Sequence, residues 1–178
     1  MKPSDPDTIM TAMVEAKKLT NSCGQEFTVY TNDQPLYKVA VGIKWVYQDR
    51  FLTLIPRLGG MHLLVSFVGC VAELMANSGL EDILKSGFGG VQKMLSGKKF
   101  PQNVRALRIF MEEVLSKVLE KRNTHDDLII SLEALAEQSK TTKLWLDCLI
   151  RPVLLMMLFV RAEREGDWSL HLWVLREI

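Results

Sequence analysis

At 178 residues and 20.3 kDa, the chain is long enough for a real hydrophobic core in one domain, or in one domain with a lobe. Apolar residues make up 48% and charged residues 24%, the composition of a soluble globular chain rather than of a disordered or fibrous one. With 22 basic against 21 acidic residues the formal charge is +1, which argues against a freestanding nucleic-acid binder carried by a large basic excess.

Cys23, Cys70 and Cys148 are odd in number and widely spaced, with no C-x-x-C pair, so a reduced intracellular compartment, nuclear or cytoplasmic, is expected. The start, Met-Lys-Pro-Ser-Asp-Pro-Asp, has no apolar stretch of the secretory kind. Of the two apolar runs, Met61–Ala72 is too short to span a bilayer, and Leu144–Val160 is broken by Asp147 and Arg151. Both are expected as buried helices, with no membrane contact.

In chain order, Ser4-Asp-Pro-Asp predicts a helix start, with a capping side chain, a proline in the first turn and acids favoured by the dipole. Ile9, Met13, Ala16 and Leu19 continue it to about Asn21–Gly24. Glu26–Tyr30 is rich in strand formers, Pro35 opens a helix with Tyr37, Ala40, Val41 and Trp45 on its apolar side, and Phe51–Ile55 is a second strand stopped by Pro56 and Gly59-Gly60. From Met61 the pattern is helical. The expected helices are Met61–Asn77, Leu80–Lys85, Gly90–Leu95, Pro101 to about Arg122, Asp126–Gln138 and Thr141–Glu165, the last kinked at Pro152. Asp167 or Ser169 starts a final helix still amphipathic at Ile178. That pattern reads as truncation, with Leu172, Trp173 and Leu175 left exposed and self-association as the consequence.

Asp33 stands at the carboxyl end of the first strand, the place where α/β folds hold ligands and metals. It reads either as a ligand of Mg²⁺, a hard cation that takes oxygens, or as the N-cap of the helix opened by Pro35; caps are the commoner use, and the two roles are compatible. His62, after Gly59-Gly60, reads as a buried imidazole fixing the strand-to-helix turn, since zinc requires three or four ligands at recognisable spacing. His125 lies in a polar turn and is expected in water. Glu163, Glu165 and Asp167 form an acidic segment from which one carboxylate could approach Asp33, paired carboxylates being what a two-metal site requires; the plainer reading is a charged helix terminus followed by an Asp167 cap. Lys93, Lys98, Lys99, Arg105 and Arg108 are a basic group able to meet phosphates of DNA, or else a solvated helix face.

Thr31-Asn-Asp-Gln-Pro, Leu58-Gly-Gly-Met-His, Gly79-Leu, Met94-Leu-Ser-Gly-Lys and Arg164-Glu-Gly-Asp-Trp together resemble a family of invertebrate proteins that looks derived from mobile elements. The strand, aspartate, helix and second strand ending in x-x-His are also similar to the catalytic core of RNase H-like transposases of the hAT-like kind. The resemblance implies that Asp33 matches the second catalytic aspartate and His62 the motif histidine. Gly59 departs from the cysteine or aspartate of that motif. The third acid is one of Asp167, Glu163 and Glu165, Mg²⁺ would serve an intact relative, and the first aspartate would belong to an earlier strand where this chain offers a helix.

The expected fold is therefore mainly α, with a small two-stranded β element near the N-terminus. Residues 1–60 form a partial RNase H-like segment, 61–140 a helical insertion and 141–178 truncated C-terminal core helices. The expected function is that of a transposon-derived fragment, not catalytic alone and its acids vestigial, whose partner is a missing N-terminal portion or DNA. The competing reading is a helical interaction module that docks a helical protein.

Overall fold

The computed structural model describes residues 4–95, 100–120 and 126–178, which form a mainly helical chain with one small sheet. They fall into two compact units, Met1–Leu63 and Leu64–Ile178.

In the first unit, Asp5 accepts the Asp7 N–H at 3.1 Å and Pro6 fills the first helical position, so helix α1 runs Pro6–Ser22. Strand β1 is Thr28–Asn32, helix α2 is Gln34–Val46 and strand β2 is Leu54–Leu58. The strands pair in parallel with Thr28 opposite Leu54 and Asn32 opposite Leu58, so α2 is the crossover a parallel pair requires. Both strands lie two to three residues later than the β-former pattern predicts. Phe51 belongs to the turn, where its ring is fully buried with Ile9, Met13, Ala40, Ile43 and Leu54. Apolarity there serves the core rather than the ladder.

Pro56, expected to stop the strand, sits inside it. The Gly59 N–H donates to the Asn32 carbonyl at 2.7 Å, and the two-residue period of the ladder then turns the Pro56 nitrogen to the outer edge, where no donor is needed. Lys44 reaches from α2 to donate to the Leu54 carbonyl at 2.6 Å, tying the crossover helix to the strand it precedes. Val29 and Ile55, opposite each other in the register, remain 47% and 46% exposed on the outer face.

Helix α3, Gly60–Leu74, leads into the second unit, which continues with α4 (Leu80–Gly87), α5 (Val91–Leu95), α6 (Phe100–Leu119), α7 (Asp126–Gln138), α8 (Lys140–Trp145), α9 (Arg151–Glu165) and α10 (Trp168–Glu177). Ala106, Leu107 and Met111 of α6 and Val153, Met156, Phe159 and Ala162 of α9 are buried at helical spacing. At Pro152 the helical run is not one continuous α-helix. A π-helical segment, Leu146–Ile150, precedes the proline, and the Arg151 N–H reaches the Leu146 carbonyl five residues back. The wider turn gives room to a proline ring that an α-turn would press against the carbonyl four residues earlier. Gly166, at φ +69°, ends α9, and α10 folds back against it. Leu172 and Trp173 are about half exposed, as the sequence predicts, whereas Leu175 is partly covered. No helix among the described residues is long and apolar enough to cross a membrane.

Candidate functional site

The carboxyl end of the two-stranded sheet collects Asn32, Asp33, Gly59, Gly60 and His62. Asn32 is buried at the end of β1, and its Nδ2 donates to the Tyr30 carbonyl at 3.2 Å. One residue on, Asp33 has extended backbone (φ −70°, ψ 169°), and its Oδ1 accepts the Leu36 N–H at 3.1 Å while its carbonyl accepts the Tyr37 N–H at 2.8 Å. It is the N-cap of α2, in an exposed position, and Oδ2 bears no hydrogen bond among the described residues. Tyr30, on the core side of β1, has its phenol held above the ordinary value by burial.

Across the sheet, Gly59 follows β2 and Gly60 opens α3. A Cβ at Gly59 would lie 3.2 Å from the Asn32 carbonyl oxygen, tighter than ordinary packing, so the close approach of the two strand ends selects glycine. The same Cβ would stand 3.9 Å from Cδ2 of His62, which places the imidazole over the Gly59 turn. His62 is half-buried rather than buried. Asp33, Gly59 and His62 therefore share one end of one sheet, as the sequence predicts for a βαβ unit.

The acids Glu163, Glu165 and Asp167 belong to the second unit, and each has a local role. Asp167 caps α10, accepting the Leu170 N–H at 2.9 Å. Both oxygens of Glu165 accept from Nε of Arg161 at 3.0 Å, one helical turn away. Glu163 Oε1 lies 2.9 Å from Nδ1 of His171, which is 2% exposed. The His171 ring stacks on Trp168 (centroids 5.0 Å apart, 13° between planes) and tilts against Phe159 at 4.9 Å.

His171 is one of the buried polar residues that sequence reasoning missed, with Asn103 and Ser131. Its signal was faint, a single histidine inside an amphipathic run, and its partner lies eight residues back across a turn. Of the basic group, Arg105 and Arg108 lie on the exposed side of α6, with Arg108 3.4 Å from Glu112; Lys98, Lys99 and His125 lie outside the described residues, as does the side chain of Lys93. Cys23 and Cys70 are exposed and Cys148 half-buried, all three as free thiols.

Chemically, the sheet end offers one carboxylate oxygen beyond the cap bond and one imidazole. Mg²⁺ takes carboxylate, carbonyl and water oxygens in a near-octahedral set, so Asp33 and His62 do not by themselves fit a two-metal centre. Among the described residues no group of three or more His, Cys, Asp or Glu side chains is placed to hold a metal ion.

No curated protein and no solved structure matches the chain. The family model described as a domain of unknown function, DUF8702, matches it over residues 1–129 and again over 122–178, so the whole length is accounted for by that one family. The chain belongs to the DUF8702 family.

Proposed function

We propose that the first unit is the second half of an RNase H-like core of the hAT-like transposase kind, kept in a protein derived from a mobile element, and that this chain does not cut or join nucleic acid by itself. The observation that carries the reading is Asp33, which ends β1 of a parallel pair while its carboxylate caps the crossover helix. The order of strand, aspartate, helix, strand, Gly-Gly-x-His supports the ancestry. The engagement of Glu163 with His171, Glu165 with Arg161 and Asp167 with the α10 amides supports the loss of chemistry. Mg²⁺ would belong to an intact relative that supplies further carboxylates. The protein acts inside the cell, in nucleus or cytoplasm, with a partner that supplies the remaining strands of such a core or with DNA.

The test is direct. Purified chain incubated with labelled duplex and hairpin DNA in Mg²⁺ or Mn²⁺ is expected to give neither cleavage nor strand transfer. Metal-dependent cleavage that disappears in Asp33→Ala refutes the proposal.

A second reading, a helical module that docks another protein, draws support from the end of α2. Trp45, Val46 and Leu52 are 72%, 73% and 74% exposed there, large apolar side chains close together in sequence. Light scattering across a concentration series separates self-association from a stable monomer that awaits a different partner.

A further inference from the structure

Helices α6 and α9 pack against each other within the second unit and leave a cleft of ≈ 260 Å³ between them. Its floor is apolar and half-buried, made by Val104 of α6 with Met157 and Val160 of α9. Its rim carries three guanidinium groups, Arg108 from one helix and Arg161 and Arg164 from the other, beside Glu165. Arg161 is fixed by its contacts with Glu165 at 3.0 Å, and Arg108 is held more loosely by Glu112 at 3.4 Å. Arg164 has no ionic partner among the described residues. With Glu112 beside Arg108 and Glu165 beside Arg161, the three arginines leave a net charge of +1, carried by Arg164.

Guanidinium groups above an apolar floor complement a ligand with an anionic head and a small apolar body. A phosphate monoester carries about −1.5 to −2 at neutral pH and offers oxygens that the guanidinium fork meets in pairs.

We propose that this cleft binds a small phosphate monoester, its apolar group lying on Val104, Met157 and Val160 and its oxygens shared between Arg108 and Arg164. Glu165 keeps Arg161 in place and lowers the site's attraction for a bare anion.

The probes are phenyl phosphate, inorganic phosphate and benzyl alcohol, titrated into the full chain by calorimetry or by amide chemical shifts. Phenyl phosphate is expected to bind about tenfold more tightly than inorganic phosphate, with benzyl alcohol showing no saturation. Its affinity falls by about fivefold or more between about pH 7.5 and pH 5, as the ester takes up its second proton, whose pKa is about 6. Arg164→Gln and Arg108→Gln, both at exposed positions that leave the fold unchanged by circular dichroism, each weaken phenyl phosphate by about fivefold or more. Val160→Ser weakens phenyl phosphate and leaves inorganic phosphate alone. The proposal is overturned if phenyl phosphate and inorganic phosphate bind equally, if neither saturates at millimolar concentrations, or if the folded arginine variants bind phenyl phosphate as the wild type does.

Discussion

Substitutions at Asp33 separate a helix cap from a metal ligand, because the two roles respond differently to loss of charge. The cap is one hydrogen bond, Leu36 N–H to Oδ1 at 3.1 Å, made at an exposed position. Removing such an acceptor costs about 1 kcal/mol, so Asp33→Ala is expected to lose about that much. For a chain of this size that is a fall of about 2–4 °C in Tm. Asp33→Asn keeps the acceptor oxygen and loses only the attraction of a carboxylate for the positive end of α2, about 0.3–0.5 kcal/mol at such an exposed site. Its Tm should lie within about 1–2 °C of the wild type. A ligand would behave otherwise. At a Mg²⁺ concentration a hundred times its Kd, binding to the native state alone would add about 2.7 kcal/mol, and Asp33→Asn would abolish that increment as fully as Asp33→Ala. The assay is thermal melting by circular dichroism with and without MgCl₂, alongside hydrogen exchange at the Leu36 amide, which Asp33→Ala should accelerate and Asp33→Asn should not. A Mg²⁺-dependent rise in Tm, present in the wild type and absent in Asp33→Asn, refutes the reading of Asp33 as a cap alone, and an unchanged Tm in Asp33→Ala refutes the cap itself.

Gly59→Ala brings a Cβ to 3.2 Å from a backbone oxygen and is expected to cost about 1–2 kcal/mol by urea denaturation, through displacement of the β1–β2 ends. An unchanged urea midpoint would show that the close approach yields easily. His171→Ala removes a buried ring from between Phe159 and Trp168 and should lose about 3 kcal/mol. His171→Phe keeps an aromatic ring and forfeits the polar contacts of the imidazole, that with Glu163 among them, about 1 kcal/mol for such a contact; equal losses in the two variants would mean that the polar contacts dominate. On α4, the hydrogen bond from Lys85 holds the Glu81 carboxyl below its ordinary 4.5, and the same bond holds Lys85 above its ordinary 10.5. The carboxylate's contribution is present above its unfolded pKa and lost as pH falls through the lower folded one; that of Lys85 is present below its unfolded pKa and lost as pH rises through the higher folded one. Lys85→Met should therefore be slightly less stable than wild type between about pH 5 and pH 10, with the difference closing on the acid side and shrinking in salt. A gap in urea midpoint that persists at pH 3 would assign it to packing.

What could be read from the sequence were features decided within a few residues. Asp33 and Asp167 as caps follow from an acceptor three residues before a free amide, and the ends of α2 and α10 follow with them. The two strands were legible as elements, because β-branched and aromatic residues such as Val29, Tyr30 and Ile55 favour extended backbone, yet their limits were not. Phe51 looks like a strand residue until a core claims it, and Pro56 looks like a stop until the pairing shows which edge its nitrogen faces. The contact of Glu163 with His171 was illegible for a related reason. It depends on the hairpin angle set at Gly166, and nothing local to either side chain announces the other. The α6–α9 cleft shares that origin, since residues about fifty apart in the chain meet only when two helices pack.

The π-helical segment before Pro152 also bears on how this stretch of chain can change length. A hydrogen bond that reaches five residues back holds one residue more than an α-turn does, about 100° of extra rotation in the helical wheel. Residues 146–150 therefore contain a spare position. Deleting one of them would close the segment to an ordinary α-turn and leave the apolar stripe of α9, from Val153 to Ala162, in phase with its neighbours. The proline would then meet the carbonyl it now avoids, so the deletion alone should bend the helix, whereas the deletion combined with Pro152→Ala should give one straight helix from Lys140 to Glu165. Chains shorter by one residue at this point and lacking the proline are the variants this geometry accommodates.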